Sequence, residues 1–84
     1  MGLEKDERIE DLIDFIKYLA NEDEQIQGRS PQERYSAALS AESDINKIIE
    51  SRSLEPEYIV DIKRRVRPLM LDLGVLSKTY FYFD

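Results

Sequence analysis

The 84-residue chain contains no cysteine, no histidine and no tryptophan. Without thiolate or imidazole there is no zinc site, no thiol nucleophile and no Ser-His pair, and without cysteine there is no disulfide. Enzymatic chemistry is therefore left almost entirely to carboxylates, and the reading is of a protein with no catalytic residues, no metal and no cofactor. Glycine and proline are scarce, three each, so signals that break regular structure are few. No apolar run approaches the ~20 residues of a membrane span. The start, Met1-Gly2-Leu3-Glu4-Lys5-Asp6, is too charged for a secretory signal, and the expected location is the cytoplasm.

What is present is charge, unevenly spread. Twelve basic against eighteen acidic residues give a net charge of −6. Residues 1–29 hold nine acidic and four basic side chains, whereas residues 56–84 hold four acidic and five basic ones. The length allows one domain, residues 1–84. A domain of this size buries only ~60% of its unfolded surface, so a partner chain is an expected source of added stability.

Three segments carry the 3.6-residue apolar period of amphipathic helices. In the first, about Leu3 to Asn21, Ile9, Leu12, Ile13, Ile16, Leu19 and Ala20 share a face, with Phe15 and Tyr18 widening it. Glu22 to Gly28 reads as a connection. Ser30-Pro31-Gln32-Glu33 then announces a second helix: Ser30 caps, Pro31 takes the first turn where no N–H is needed, and Glu33 closes a capping box. Tyr35, Ala38, Leu39, Ile45, Ile48 and Ile49 form its expected buried face up to about Arg52, and Ala37, Ala38 and Ala41 leave its middle thin enough for another helix to approach. Pro56 opens a third helix, with Tyr58, Ile59, Ile62, Val66, Leu69, Met70 and Leu73 inward. A kink or break is expected from Pro68, which lacks a donor and crowds the preceding turn. Gly74 reads as the stop, with Val75 folding back on Met70. Thr79-Tyr80-Phe81-Tyr82-Phe83, holding four of the eight aromatics, comes next as either a strand or a short fourth helix capped by Ser77; the helix fits better, because an all-helical chain has no sheet to join. The expected fold is all-α: a small antiparallel bundle of three main helices with a short C-terminal fourth element.

Three constellations bear on function. Glu7, Asp11 and Asp14 lie within two turns of the first helix, but without a matching acidic pair they read as a solvated face. Lys63, Arg64, Arg65 and Arg67 make the one basic patch. Four cations in five helical residues cannot share one face, and a chain of net charge −6 lacks the broad basic surface of nucleic-acid binders, so nucleic acid and anionic lipid are weaker readings than salt bridging to the acidic first helix. Lys78, Tyr80, Phe81, Tyr82 and Phe83 are the candidate partner-binding residues, since four consecutive rings exceed what one face of a small bundle buries.

Taken together, Ser30-Pro31-Gln32-Glu33, the Ile59, Ile62, Val66 pattern, Arg67-Pro68-Leu69 and Leu76-Ser77-Lys78 before an aromatic end resemble the enterocin A type of bacteriocin immunity proteins. The resemblance covers about residues 30–83. It implies a cytoplasmic antiparallel four-helix bundle that engages a membrane receptor with its bound bacteriocin, with Lys78 to Phe83 as the recognition segment. Beside it stand two other non-enzymatic readings, a homodimeric structural or regulatory module joined through the aromatic tail and the alanine-lined second helix, and a small DNA-associated regulator using Lys63 to Arg67.

Overall fold

In a computed structural model, residues 5–21 and 30–82 are described, with side chains given as far as residue 75. All regular structure among these residues is helical: α1 spans Glu7–Asn21, α2 Pro31–Ser51 and α3 Pro56–Tyr82, and each helix touches both others.

The local chemistry sets the boundaries. Asp6 is the N-cap of α1: its Oδ1 accepts from the Ile9 N–H at 3.1 Å, and its carbonyl accepts from the Glu10 N–H at 2.9 Å, so α1 starts later than the periodicity suggests. The capping box of α2 forms as its residues demand. Ser30 Oγ accepts from the Glu33 N–H at 3.2 Å, and Glu33 Oε1 accepts from the Ser30 N–H at 3.5 Å. At the other end of α2 the Arg52 N–H donates to the Ile48 carbonyl in an extended C-cap, and four residues later Pro56 opens α3.

Two expectations about α3 are corrected. The break expected near Arg64 to Arg67 does not occur: the helix continues past Pro68, and Pro68 and Arg64, whose carbonyl loses its donor, are both exposed residues, which lets water take the freed carbonyl. It also runs past Gly74 to Tyr82, so the residues expected to form a fourth element extend α3 instead. Glycine in a helix costs about 1 kcal/mol relative to alanine, but it stops a helix only when the residues beyond it leave the ladder. Gly74 instead lies against Tyr35: a Cβ built there meets the ring at 3.6 to 3.8 Å. The 22–29 connection and Phe83 lie outside the described residues, as do the side chains of Lys78, Tyr80, Phe81 and Tyr82.

The core is one cluster drawn from all three helices. Ile9, Ile13, Ile16 and Leu19 of α1 meet Ala38, Ala41 and Ile45 of α2 and Tyr58, Ile62, Val66 and Leu73 of α3. Each fully buried Ile, Leu or Val side chain in that set contributes on the order of 1.5–3 kcal/mol. Ala38 and Ala41 are among the most buried residues, so the thin face of α2 is used for packing within the chain. Arg34, buried at the start of α2, donates through Nη1 to the Leu19 carbonyl at 3.4 Å and so ties the end of α1 to the start of α2. With Asp6 beside Arg52 and Tyr58 at the opposite end, α1 runs antiparallel to α2 and parallel to α3. Leu39, by contrast, is not part of the buried face its spacing suggests, and keeps 43% of its surface exposed.

Candidate functional site

Two places gather functional side chains. The first is a polar clasp where α1 begins. Glu10 receives both arms of Arg65, Nη1 to Oε1 and Nη2 to Oε2, each at 2.8 Å, and Oε2 also accepts from the Tyr58 hydroxyl at 2.7 Å. That hydroxyl, fully buried, accepts in turn from the Asp6 N–H at 3.0 Å. Asp6 itself pairs with Arg52. Asp61 lies 3.0 Å from Arg65 Nε in an i,i+4 ion pair off the hydrogen-bonding direction.

This geometry sets the electrostatics. The Arg65 fork holds Glu10 well below its ordinary range, at about 2, against the opposing effect of burial and with help from the Tyr58 hydroxyl. Burial, then the Glu10 carboxylate, pushes Tyr58 up to about 12. Burial also acts to raise Asp6, but the Ile9 N–H and Arg52 outweigh it and the net direction is down. Arg65 is held above its ordinary value by Glu10. A carboxylate this acidic with both oxygens engaged is a poor general base near neutral pH, and a phenol this basic is a poor general acid. The clasp ties α1 to α3 through Glu10, Tyr58 and Arg65, and to the end of α2 through Asp6 and Arg52.

The second place is a groove of about 650 Å³ between α2 and α3. Its floor and shoulders are apolar, with Ile45, Ile62, Val66, Met70, Leu39 and Leu71 contributing, and its rims carry Glu42 and Asn46 on α2 and Lys63 and Arg67 on α3. Leu71 keeps 60% of its surface exposed. Leu39 and Leu71 thus leave apolar surface open to water beside a concave apolar floor, whereas the other exposed aliphatics, Val60 and Val75, are not part of the groove.

These positions divide the sequence candidates. The basic patch splits as helical geometry requires: Arg65 turns inward to Glu10, the salt bridging to the acidic first helix expected of the cluster, while Lys63 and Arg67 border the groove and Arg64 is exposed elsewhere. Glu7, Asp11 and Asp14 are exposed, and among the described residues no group of three acidic side chains converges in a way that could hold a metal. Reading the sequence missed both Glu10 and the groove. Asp6, three residues before the first core isoleucine, was the available signal for the clasp; Leu39 and Leu71, apolar positions at the margin of their helical stripes, were the signal for the groove. Comparison with protein families, with characterised proteins and with solved structures finds no match to this chain.

Proposed function

We propose that this chain is a non-enzymatic helical module that acts by protein recognition through the α2–α3 groove. The observation that carries this reading is the groove itself, an apolar trough with Leu39 and Leu71 exposed and charged side chains on its rims. The absence of cysteine and histidine, and the engagement of Glu10, Tyr58 and Arg65 in holding helices together, support it from the other direction. With Arg65 committed to Glu10, three cations of the patch remain exposed on a chain of net charge −6, a thin basis for nucleic acid.

Site-specific photocrosslinking in the native cell tests the reading. A photoreactive residue at Leu71 should give a defined protein adduct that Leu39→Glu abolishes, while the same residue at exposed Val60, outside the groove, should not; equal adducts at both positions contradict it. The narrower reading as a bacteriocin immunity protein rests on the sequence resemblance and places recognition on Lys78, Tyr80, Phe81, Tyr82 and Phe83. Protection of a bacteriocin-sensitive strain by this chain, lost on replacement of those residues, is its expected result, and no protection on expression rejects it.

A further inference from the structure

The charges on the two walls of the groove differ in sign, and this selects an occupant. Glu42 stands on the α2 wall, Lys63 and Arg67 on the α3 wall, and the exposed leucines lie with them. Among the described residues none of these three charges takes part in an ion pair, with each other or with anything else. A partner helix of one charge sign would be attracted by one wall and repelled by the other. A surface with opposite signs on opposite walls is instead complementary to itself under a suitable two-fold rotation.

Only one of the two in-plane axes gives that match. An axis across the helices sets α2 over the second copy's α2 and α3 over its α3, so that Glu42 does not face the partner's Lys63 and Arg67. An axis along the groove sets α2 of each copy over α3 of the other, so that each Glu42 faces the partner's Lys63 and Arg67. Under the same rotation α2 runs antiparallel to the partner's α3, as it does to its own, and the four helices take the alternating arrangement of a bundle. Leu39 of each copy then meets the partner's Met70 and Leu71, removing from water the apolar surface that the single chain leaves open.

We propose that the α2–α3 groove docks a second copy of this chain about a two-fold axis along the groove, with Glu42 facing the partner's Lys63 and Arg67. This rests on reading the groove as a recognition surface. It differs from a dimer seam on the alanine face, since Ala38 and Ala41 are buried within the chain.

Sedimentation equilibrium of the full chain tests it. The expected mass is twice 9.9 kDa. Glu42→Lys alone, and Lys63→Glu with Arg67→Glu alone, should each weaken the dimer by about tenfold or more by setting like charges together. Mixing the two variant chains in equal amounts should restore the dimer, because every rim contact in the mixed pair is attractive; circular dichroism of each variant should keep the wild-type helical signal. A wild-type chain that stays monomeric at millimolar concentration overturns the proposal, as does a dimer indifferent to both charge reversals or not restored by mixing. If the chain is monomeric while Leu71 still crosslinks to a different protein, the second copy is the wrong occupant and the recognition reading stands; if neither association occurs, both fail.

Discussion

The clasp at the start of α1 and the groove between α2 and α3 use similar side chains in opposite circumstances. In the clasp, Arg65 and Glu10 are partly buried and matched in two parallel bonds, with the Tyr58 hydroxyl donating a third to Glu10 Oε2. In the groove, Lys63 and Arg67 stand on one wall and Glu42 on the other, without ion pairs among the described residues and next to leucines that remain open to water. The same five-residue stretch of α3 supplies both places, because successive helical positions lie about 100° apart and Arg65 faces away from Lys63 and Arg67. The difference teaches how to separate charges that hold the fold together from charges available to something else. Removal of a clasp residue should cost stability, and removal of a groove residue should cost association.

The largest effect should come from Glu10→Ala. Removing the carboxylate leaves Arg65 and Tyr58 without their shared acceptor, an expected loss of about 2–4 kcal/mol in urea unfolding. Replacing Lys63 and Arg67 together by alanine, measured at concentrations where the chain is monomeric, should change stability by less than ~0.5 kcal/mol. Equal losses in the two variants would erase the distinction.

Acid titration acts on the same group without mutation. Glu10 is lowered from 4.5 in the unfolded chain to about 2 in the fold, so the stability it confers is fully present above about 4.5 and lost as pH falls through about 2. Glu10→Gln should lack that part of the acid slope. At the other extreme Tyr58 is raised from 10.0 to about 12, so its contribution is present below 10.0 and lost as pH rises through about 12. Tyr58→Phe, which keeps the ring in the core and removes one bond to a charged acceptor, should cost about 1.5–3 kcal/mol and should flatten the alkaline limb.

Gly74→Ala should act in the opposite direction, raising stability by about 1 kcal/mol in thermal unfolding, because the added methyl has ordinary contact distances to Tyr35 and the residue is helical. A loss of stability there would mean that the Tyr35 ring cannot accommodate it.

How much the residues alone reveal depends on the range over which each signal acts. The start of α2 is legible because a capping box is complete within four residues, Ser30 to Glu33. The start of α1 is obscured because the acidic residues near it are crowded, and only the position of the turn distinguishes Asp6 from its neighbours as the cap. Gly74 resembles a stop because a helix end is decided by the residues beyond the glycine, and none of those forces the chain out of the ladder. Leu39 reads as core because periodicity locates the centre of a buried face, whereas its width depends on how many neighbours surround it; with two neighbouring helices, the margin of the stripe stays open. The Glu10–Arg65 pair joins residues 55 apart in sequence, beyond any local pattern, although the acidic first helix and basic third helix indicate that such a pair would exist. The groove requires the relative placement of two helices, and its residues become a set only once Leu39 and Leu71 are seen side by side.

The central claim is that the exposed leucines of the groove serve association and not the fold. Its most direct test is the variant with Leu39→Gln and Leu71→Gln, followed in one sample series by sedimentation for mass and by urea unfolding at low concentration for stability. The account predicts that association is lost while monomer stability stays within ~0.5 kcal/mol of the parent chain, as expected for surface positions. A loss of several kcal/mol in the monomer, with association unchanged, would contradict it.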